Sequence, residues 1–144
     1  KKIMLKSSKS DRISRAYTSS YREIFDFGLV FFKKSQKKFS FKFSLQRLFI
    51  YYMSIDFDSH IMRKFGKFTA MQLKNKAKSL LKKLDKENSL TKRLLINFDK
   101  YLKSMHLNPG TCADLTVTTL LIDKILCIVQ YSNLKKVWIR YFNV

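Results

Sequence analysis

The scarcity of glycine and proline is the feature of this sequence that most limits its possible folds. Three glycines and one proline occur in 144 residues. Sandwiches and barrels need frequent turns, and glycine and proline are the residues that most often make them. So few of these residues favour long helices joined by few connections. We therefore predict an all-α fold of about five to six helices in one orthogonal or bundle-like domain.

The composition indicates a folded chain with a strong positive charge. Hydrophobic residues make up 46% of the sequence, which is too apolar for general disorder. Thirty Lys and Arg residues against ten Asp and Glu residues give a net charge of +20. Such an excess of positive charge is typical of proteins that bind nucleic acid. A basic helical protein that binds nucleic acid is therefore the alternative functional hypothesis.

The distribution of this charge favours a different partner. Lysines are spread along nearly the whole sequence, and no recognised nucleic-acid-binding module occurs in it. Nucleic acid is therefore the less favoured partner, whereas small polyanionic substrates would be attracted to such a surface.

Cysteine content and hydropathy predict the compartment. Cys112 and Cys127 are the two cysteines, which indicates no disulfide framework and favours a reducing cytoplasm. The apolar runs at residues 28–32 and 48–53 are far shorter than the roughly 20 residues of a membrane span. We predict a cytoplasmic protein without a membrane partner.

Apolar periodicity predicts one long helix at the start of the folded region. Asp11 can cap this helix, which is expected to run to about Lys34. Tyr17 and Tyr21 are predicted to lie in its buried face. The alternating aromatic and basic residues 33–43 are predicted to form a loop.

The remaining helices are predicted from caps and apolar spacing. Ser44 is expected to cap a short helix, and the next helix starts at Ser59 or Lys67 and runs to Leu84. A fourth starts at Ser89. A fifth follows the turn at residues 108–110. Residues 133–144 form either a final packed helix or an exposed end.

The most unusual segment combines a turn, a helix start and a carboxylate. Pro109 fixes φ, and Gly110 can adopt a positive φ at no steric cost. Thr111 is predicted as the N-cap, with Asp114 three residues later answering the free amides of the first turn. A well-capped structural helix is sufficient to explain this pattern.

The same segment resembles a family signature. Asn-Pro-Gly-Thr-Cys-Ala-Asp-Leu-Thr-Val-Thr-Thr-Leu, at residues 108–120, is similar to the motif of triphosphoribosyl-dephospho-CoA synthases. Residues 58–66, Asp-Ser-His-Ile-Met-Arg-Lys-Phe-Gly, resemble a second, moderately specific motif of this family. Residues 11–25 resemble a third, weaker one. The likeness covers roughly residues 11–126.

The resemblance implies a transferase that joins the triphosphoribosyl part of ATP to 3′-dephospho-CoA and releases adenine. It also implies that this chain corresponds to the C-terminal half of a larger helical fold, since the family's P-K-P-G, H-x-D and N-T-H-K-G segments do not occur in it. An N-terminal half or a second subunit is therefore an expected partner, and an incomplete or inactive chain is a further expectation. The predicted organisation is a basic segment at 1–10, a helical domain at 11–131 and an aromatic, basic tail at 132–144.

Two aspartates are the predicted catalytic residues. Asp58 and Asp114 each follow a predicted turn at a helix start, and carboxylates with substrate phosphates are the usual ligands of magnesium. The ATP chemistry that the resemblance implies makes magnesium the expected cofactor. A carboxylate could also stabilise the positive charge that develops on the ribose carbon. As plain helix caps, the two aspartates would need no catalytic role.

A further six residues are the predicted substrate-binding set. Helix N-termini suit phosphate groups, and arginine and lysine side chains near them add positive charge. The predicted residues are His60, Arg63, Lys64, Asn108, Gly110 and Thr111. The family usually has a small hydroxyl residue at the position of Cys112, so the resemblance implies that Cys112 is a small packing residue and not a nucleophile.

Overall fold

The computed structural model describes the backbone of residues 11–142 and the side chains of residues 11–130. Within this part of the chain there are six α-helices, one π-helical segment and no strand. The all-α prediction is confirmed, in a single domain. The predicted segment 1–10 lies outside the described residues, as do the side chains of the tail at 132–144.

The helices follow one another through short connections. Helix α1 is Arg12–Thr18, the π-helical segment is Glu23–Gly28 and α2 is Leu29–Gln36. Helix α3 is Phe41–Ile55, α4 is Ser59–Lys83, α5 is Ser89–Ser104 and α6 is Gly110–Phe142. The backbone of the tail is helical through residue 142, where α6 ends. The choice between a packed and an exposed tail stays a prediction.

The predicted single first helix is wrong, because the chain breaks between α1 and the π-helical segment. Asp11 caps α1 as predicted, accepting the Ser14 N–H at 2.8 Å. Ser20 and Tyr21 then take positive φ values of 55° and 57°, which a right-handed helix cannot include. This break turns Tyr17 and Tyr21 out of the predicted core, and both rings are exposed.

The predicted loop at 33–43 is reduced to four residues between α2 and α3. Ser40, and not Ser44, caps α3 and accepts the Phe43 N–H at 3.2 Å. Glu87 accepts hydrogen bonds from the Ser40 backbone N–H and hydroxyl, at 2.8 and 2.6 Å. Ser44 is instead buried inside α3. The cap is set by a residue distant in sequence, which local spacing does not reveal.

Helix α4 contains both of the predicted starting points. Asp58 caps it before Ser59, and Gly66 then interrupts it with φ 83° and ψ 166° before Lys67. Only glycine adopts this conformation freely, so it permits a kink inside one continuous element. Asn88 caps α5 through a capping box with Thr91.

The core forms where α3 packs against α4 and α6. Its central side chains are fully buried, and the largest include Phe32, Phe43, Leu48, Tyr52, Met53, Ile61, Leu84 and Leu115. Gly28 permits a close approach here, since a Cβ on it would lie 1.9 Å from Tyr52 Oη. The π-helical segment therefore packs directly on α3.

Helix α6 is not buried in the way its apolar composition suggests. It buries Cys112, Thr119 and Asp123, and it exposes Val117 and Leu121. Arg12 of α1 contacts Cys112, and the Tyr52 hydroxyl of α3 lies 2.6 Å from Thr119 Oγ1. No helix in the described part of the chain is long and apolar enough to cross a membrane.

Candidate functional site

The carboxylate of Asp58 joins the N-termini of two helices. Asp58 Oδ1 accepts the Ile61 N–H of α4 at 3.0 Å, and Oδ2 accepts the Cys112 N–H of α6 at 2.8 Å. The residue is only 3% exposed. Because a helix N-terminus carries free amides and a positive partial charge, one carboxylate stabilises both helix starts. The two motifs recognised in the sequence thus meet through this side chain.

Hydroxyl groups extend this contact. Ser59 Oγ and Thr111 Oγ1 lie 3.0 Å apart, and the His60 backbone N–H donates to Thr111 Oγ1 at 3.3 Å. The prediction that Thr111 caps its own helix is wrong, because α6 begins one residue earlier, at Gly110. Thr111 is instead buried, and its hydroxyl accepts a hydrogen bond from the backbone of the neighbouring helix α4.

Arg12 is the buried cation of this region. Its guanidinium forms an ion pair with Glu23, and Nε donates to Glu23 Oε1 at 2.9 Å. Its NH1 group donates to the carbonyl oxygens of Tyr52 and Asp56, at 2.9 and 3.4 Å. Burial alone lowers the pKa of Arg12, but the Glu23 hydrogen bond and the neighbouring negative groups raise that pKa above its ordinary value. A cation at the end of α3 complements the negative end of that helix dipole.

We call this cluster the polar junction, and its members are Arg12, Glu23, Asp58, Ser59, Thr111 and Cys112. The Cys112 thiol accepts a long contact from Arg12 NH1 at 3.6 Å, and burial raises its pKa well above the ordinary value. A buried, protonated thiol is a poor nucleophile. This environment agrees with the predicted packing role of Cys112.

The other predicted substrate-binding residues lie towards solvent. Arg63 is exposed, with NH1 3.8 Å from Asp11 Oδ2, and the Lys64 ammonium lies 5.4 Å from the Phe65 ring centroid. Asn108 is exposed, and its carbonyl accepts the Gly110 N–H at 2.8 Å.

Gly110 does not take the positive φ predicted for it. The positive φ in this turn belongs to His106, at 52°. The turn is made by Asn108 and Pro109, and Gly110 is the first residue of α6. His60 is half-buried beside Thr111.

Asp114 lies in a separate groove between α1, the π-helical segment and α6. We call this the Asp114 groove; its volume is about 730 Å³, and its lining residues are Ile13, Ala16, Tyr21, Ile24, Phe25, Asp114, Leu115, Val117, Thr118 and Ile122. Asp114 is exposed, whereas Ala16, Ile24 and Leu115 form a buried floor. The structure therefore separates the two predicted catalytic aspartates into a buried and an open environment.

The two aspartates differ in their fitness for magnesium. Carboxylate oxygen is the ligand type that this ion prefers, and Asp114 can offer it together with substrate phosphates and water. Both oxygens of Asp58 already accept backbone amides. No group of three or more potential metal-binding side chains occurs among the described residues. Of the two aspartates, Asp114 has the accessible carboxylate, and its binding of magnesium stays a prediction.

The sequence pattern does not identify Arg12, Glu23 and Tyr52 as organising residues. The one available signal was that Arg12 lies four residues before Ala16, so that both share a helix face. Glu23 pairs with Arg12, and Arg15 pairs with Asp56. These pairings depend on the break after α1.

Comparison with known proteins identifies a matching family model. A family model described as ATP:dephospho-CoA triphosphoribosyl transferase (CitG) matches residues 1–132, nearly the whole chain. No curated protein and no solved structure matches significantly.

Proposed function

The chain belongs to the family of ATP:dephospho-CoA triphosphoribosyl transferases, and on this premise we propose that it transfers the triphosphoribosyl group of ATP to 3′-dephospho-CoA. The reaction breaks the bond between adenine and the ribose carbon and forms a bond from that carbon to an acceptor hydroxyl oxygen. Adenine leaves with the electron pair of the broken bond and takes up a proton. The acceptor hydroxyl gives up its proton.

The exposed carboxylate of Asp114 is the observation that carries this proposal. It belongs to the residues 108–120 that resemble the family signature, and it opens into a groove of substrate size. Positive charge develops on the ribose carbon as adenine leaves. A fixed carboxylate beside that carbon stabilises this charge.

The polar junction supports the reaction by positioning α6. The Asp58 carboxylate holds the Cys112 N–H, two residues before Asp114 along the same helix. A carboxylate on a rigid helix is held more closely than one on a loop. The predicted role of Asp58 as catalytic residue and metal ligand stays a prediction beside this positioning role.

Exposed cations near the start of α4 suit the triphosphate. Arg63 and Lys64 both lie towards solvent, and an arginine side chain can bind phosphate oxygens through two parallel hydrogen bonds. Magnesium, when bound, would neutralise phosphate charge and orient the triphosphate. The proposed substrate-binding set also includes His60, Asn108, Gly110 and Thr111. Thr111 contributes indirectly, through its contact with α4.

The test is adenine release. The purified chain is incubated with ATP, magnesium and 3′-dephospho-CoA, and both products are followed by chromatography. Asp114→Asn removes the negative charge with little change in shape, and we expect adenine release to fall about 100-fold. Asp99→Asn is the matched control, because Asp99 is an exposed aspartate in an ion pair with Lys103 on α5. Equal activity of Asp114→Asn and the unaltered chain would contradict the proposal.

The predicted contribution of an N-terminal half or a second subunit is tested in the same assay. Adding the N-terminal half of a family member is expected to raise adenine release if that half completes the site. The Asp114→Asn and Asp99→Asn comparison is then repeated with the added half. If the two variants then release adenine equally fast, Asp114 has no role in the reaction.

A further inference from the structure

Among the described side chains, of residues 11–130, no Lys or Arg lines the Asp114 groove. The one charged side chain in this described lining is that of Asp114. A triphosphate needs cations or a metal ion around it, and a carboxylate repels it unless a metal ion lies between them. The groove therefore suits an uncharged part of a substrate.

Two aromatic rings line this groove. Tyr21 is 38% exposed and Phe25 is 46% exposed, and they lie four residues apart. The Tyr21 ring also contacts Tyr17 edge-on, with ring centroids 5.9 Å apart. Exposed aromatic faces beside an apolar floor are suited to stacking with a planar base.

The backbone at Tyr21 is held in an uncommon conformation. Its φ is 57°, and bulky residues rarely adopt positive φ. The conformation is stabilised by the Tyr21 N–H, which donates to the Ala16 carbonyl at 2.7 Å, and by the Tyr21 carbonyl, which accepts the Ile24 N–H at 2.8 Å. The fold thus directs a tyrosine ring to this groove at a cost in backbone energy.

We propose that the Asp114 groove binds the adenine ring of ATP, with Tyr21 and Phe25 as its stacking residues. This inference rests on the proposed function, which makes ATP the donor and adenine the leaving group. The base lies on the aromatic and apolar lining, and the ribose carbon lies beside Asp114. The triphosphate extends out of the groove.

The experiment measures adenine binding directly. Calorimetry or ligand-observed NMR gives the affinity of the purified chain for adenine and for ATP, with ribose 5-triphosphate as the ligand that lacks the base. Tyr21→Asn removes the ring and keeps a residue that tolerates positive φ. Phe25→Leu removes the second ring. We expect each variant to bind adenine and ATP about tenfold more weakly, with the affinity for ribose 5-triphosphate unchanged.

Phe27→Leu is the matched control. Phe27 is an exposed aromatic residue of the same π-helical segment, but it does not line the groove. We expect its adenine affinity to equal that of the unaltered chain. Circular dichroism confirms that each variant is folded.

The outcomes separate this inference from the proposed function. Adenine release by the unaltered chain with unchanged ATP affinity in Tyr21→Asn and Phe25→Leu overturns the adenine site alone. Adenine binding that depends on both rings supports the site, even where no adenine is released with an added N-terminal half. Absence of both binding and release overturns both.

Discussion

The polar junction and the Asp114 groove lie at the same end of α6, yet they treat an aspartate in opposite ways. Asp58 is buried, and its two oxygens accept amides from α4 and α6. Asp114 is exposed in a groove with an apolar floor. Both aspartates lie in segments that resemble family motifs, but the first holds two helices together while the second is open to solvent.

This difference shows how a strongly basic chain places its few acidic residues. Three acidic residues of the junction region, Glu23, Asp56 and Asp58, contact Arg12 or helix amides. Asp56 uses its carbonyl for Arg12 and its carboxylate for Arg15. Stability should therefore depend on the junction, and binding or catalysis on the groove.

The largest loss of stability is expected for Arg12→Met. The change leaves Glu23 without its buried cation and leaves the Tyr52 carbonyl without a donor. We expect the free energy of unfolding to fall by about 3–5 kcal/mol. Urea denaturation measures it. Arg15→Met is the control, since the exposed Arg15–Asp56 pair should contribute less than about 1 kcal/mol. Similar losses for both variants would contradict a special role for the junction.

A smaller loss is expected for Gly28→Ala. The new Cβ would lie 1.9 Å from Tyr52 Oη, so either the buried Tyr52 side chain or the π-helical segment must shift. We expect a loss of about 1–3 kcal/mol in the same denaturation experiment.

Gly110→Ala is the matched control for this change. A Cβ on Gly110 meets no atom within 4 Å. Alanine is the better helix former, so this variant should be as stable as the unaltered chain or slightly more stable. Equal losses for the two alanine variants would rule out the close approach at Gly28.

Asp58→Asn should cost about 1–2 kcal/mol. The amide group of asparagine can accept one of the two backbone N–H groups, but its nitrogen would face the other as a second donor. Thermal and urea unfolding measure the loss. Asp58→Ala, which removes both acceptors, should cost more than Asp58→Asn. The reverse order would show that the carboxylate does not join α4 and α6.

Asp114→Asn should have the smallest effect on stability, within about 0.5 kcal/mol. Asp114 is exposed and lies beyond the first residues of α6. The comparison between the two aspartates is sharpest here, because Asp114→Asn is expected to abolish most adenine release and Asp58→Asn to reduce stability. A destabilised Asp114→Asn variant would make this residue structural.

Local signals predicted the helices better than the interactions between them. The cap at Asp11 and the turn before α6 could be predicted from the sequence. Capping residues accept hydrogen bonds from amides only two or three positions away. The prediction that Ser44 caps a helix was wrong. Ser40 caps α3 instead, and its backbone N–H donates to Glu87, which is 47 residues distant. The prediction that Tyr17 and Tyr21 lie in a buried helix face was wrong, because two residues with positive φ end the helix early.

The candidate site divides in the same way. Resemblance to the family identified Asp58, Thr111 and Asp114, and the structure joins the first two through contacts between α4 and α6. Nothing in the local sequence marks Tyr21 as a groove residue, since its spacing from Tyr17 is that of an ordinary buried helix face. Its exposure follows from the backbone break that precedes it.

The sequence by itself determined an all-α fold, because few glycines and prolines and regular apolar spacing act over a few residues of chain. Only the tertiary structure decided that Asp58 would be buried and Asp114 open. The Asp58 carboxylate meets a backbone amide 54 residues away, so its environment depends on how α4 and α6 pack. Burial and charge pairing are properties of that packing, and short-range patterns do not encode them.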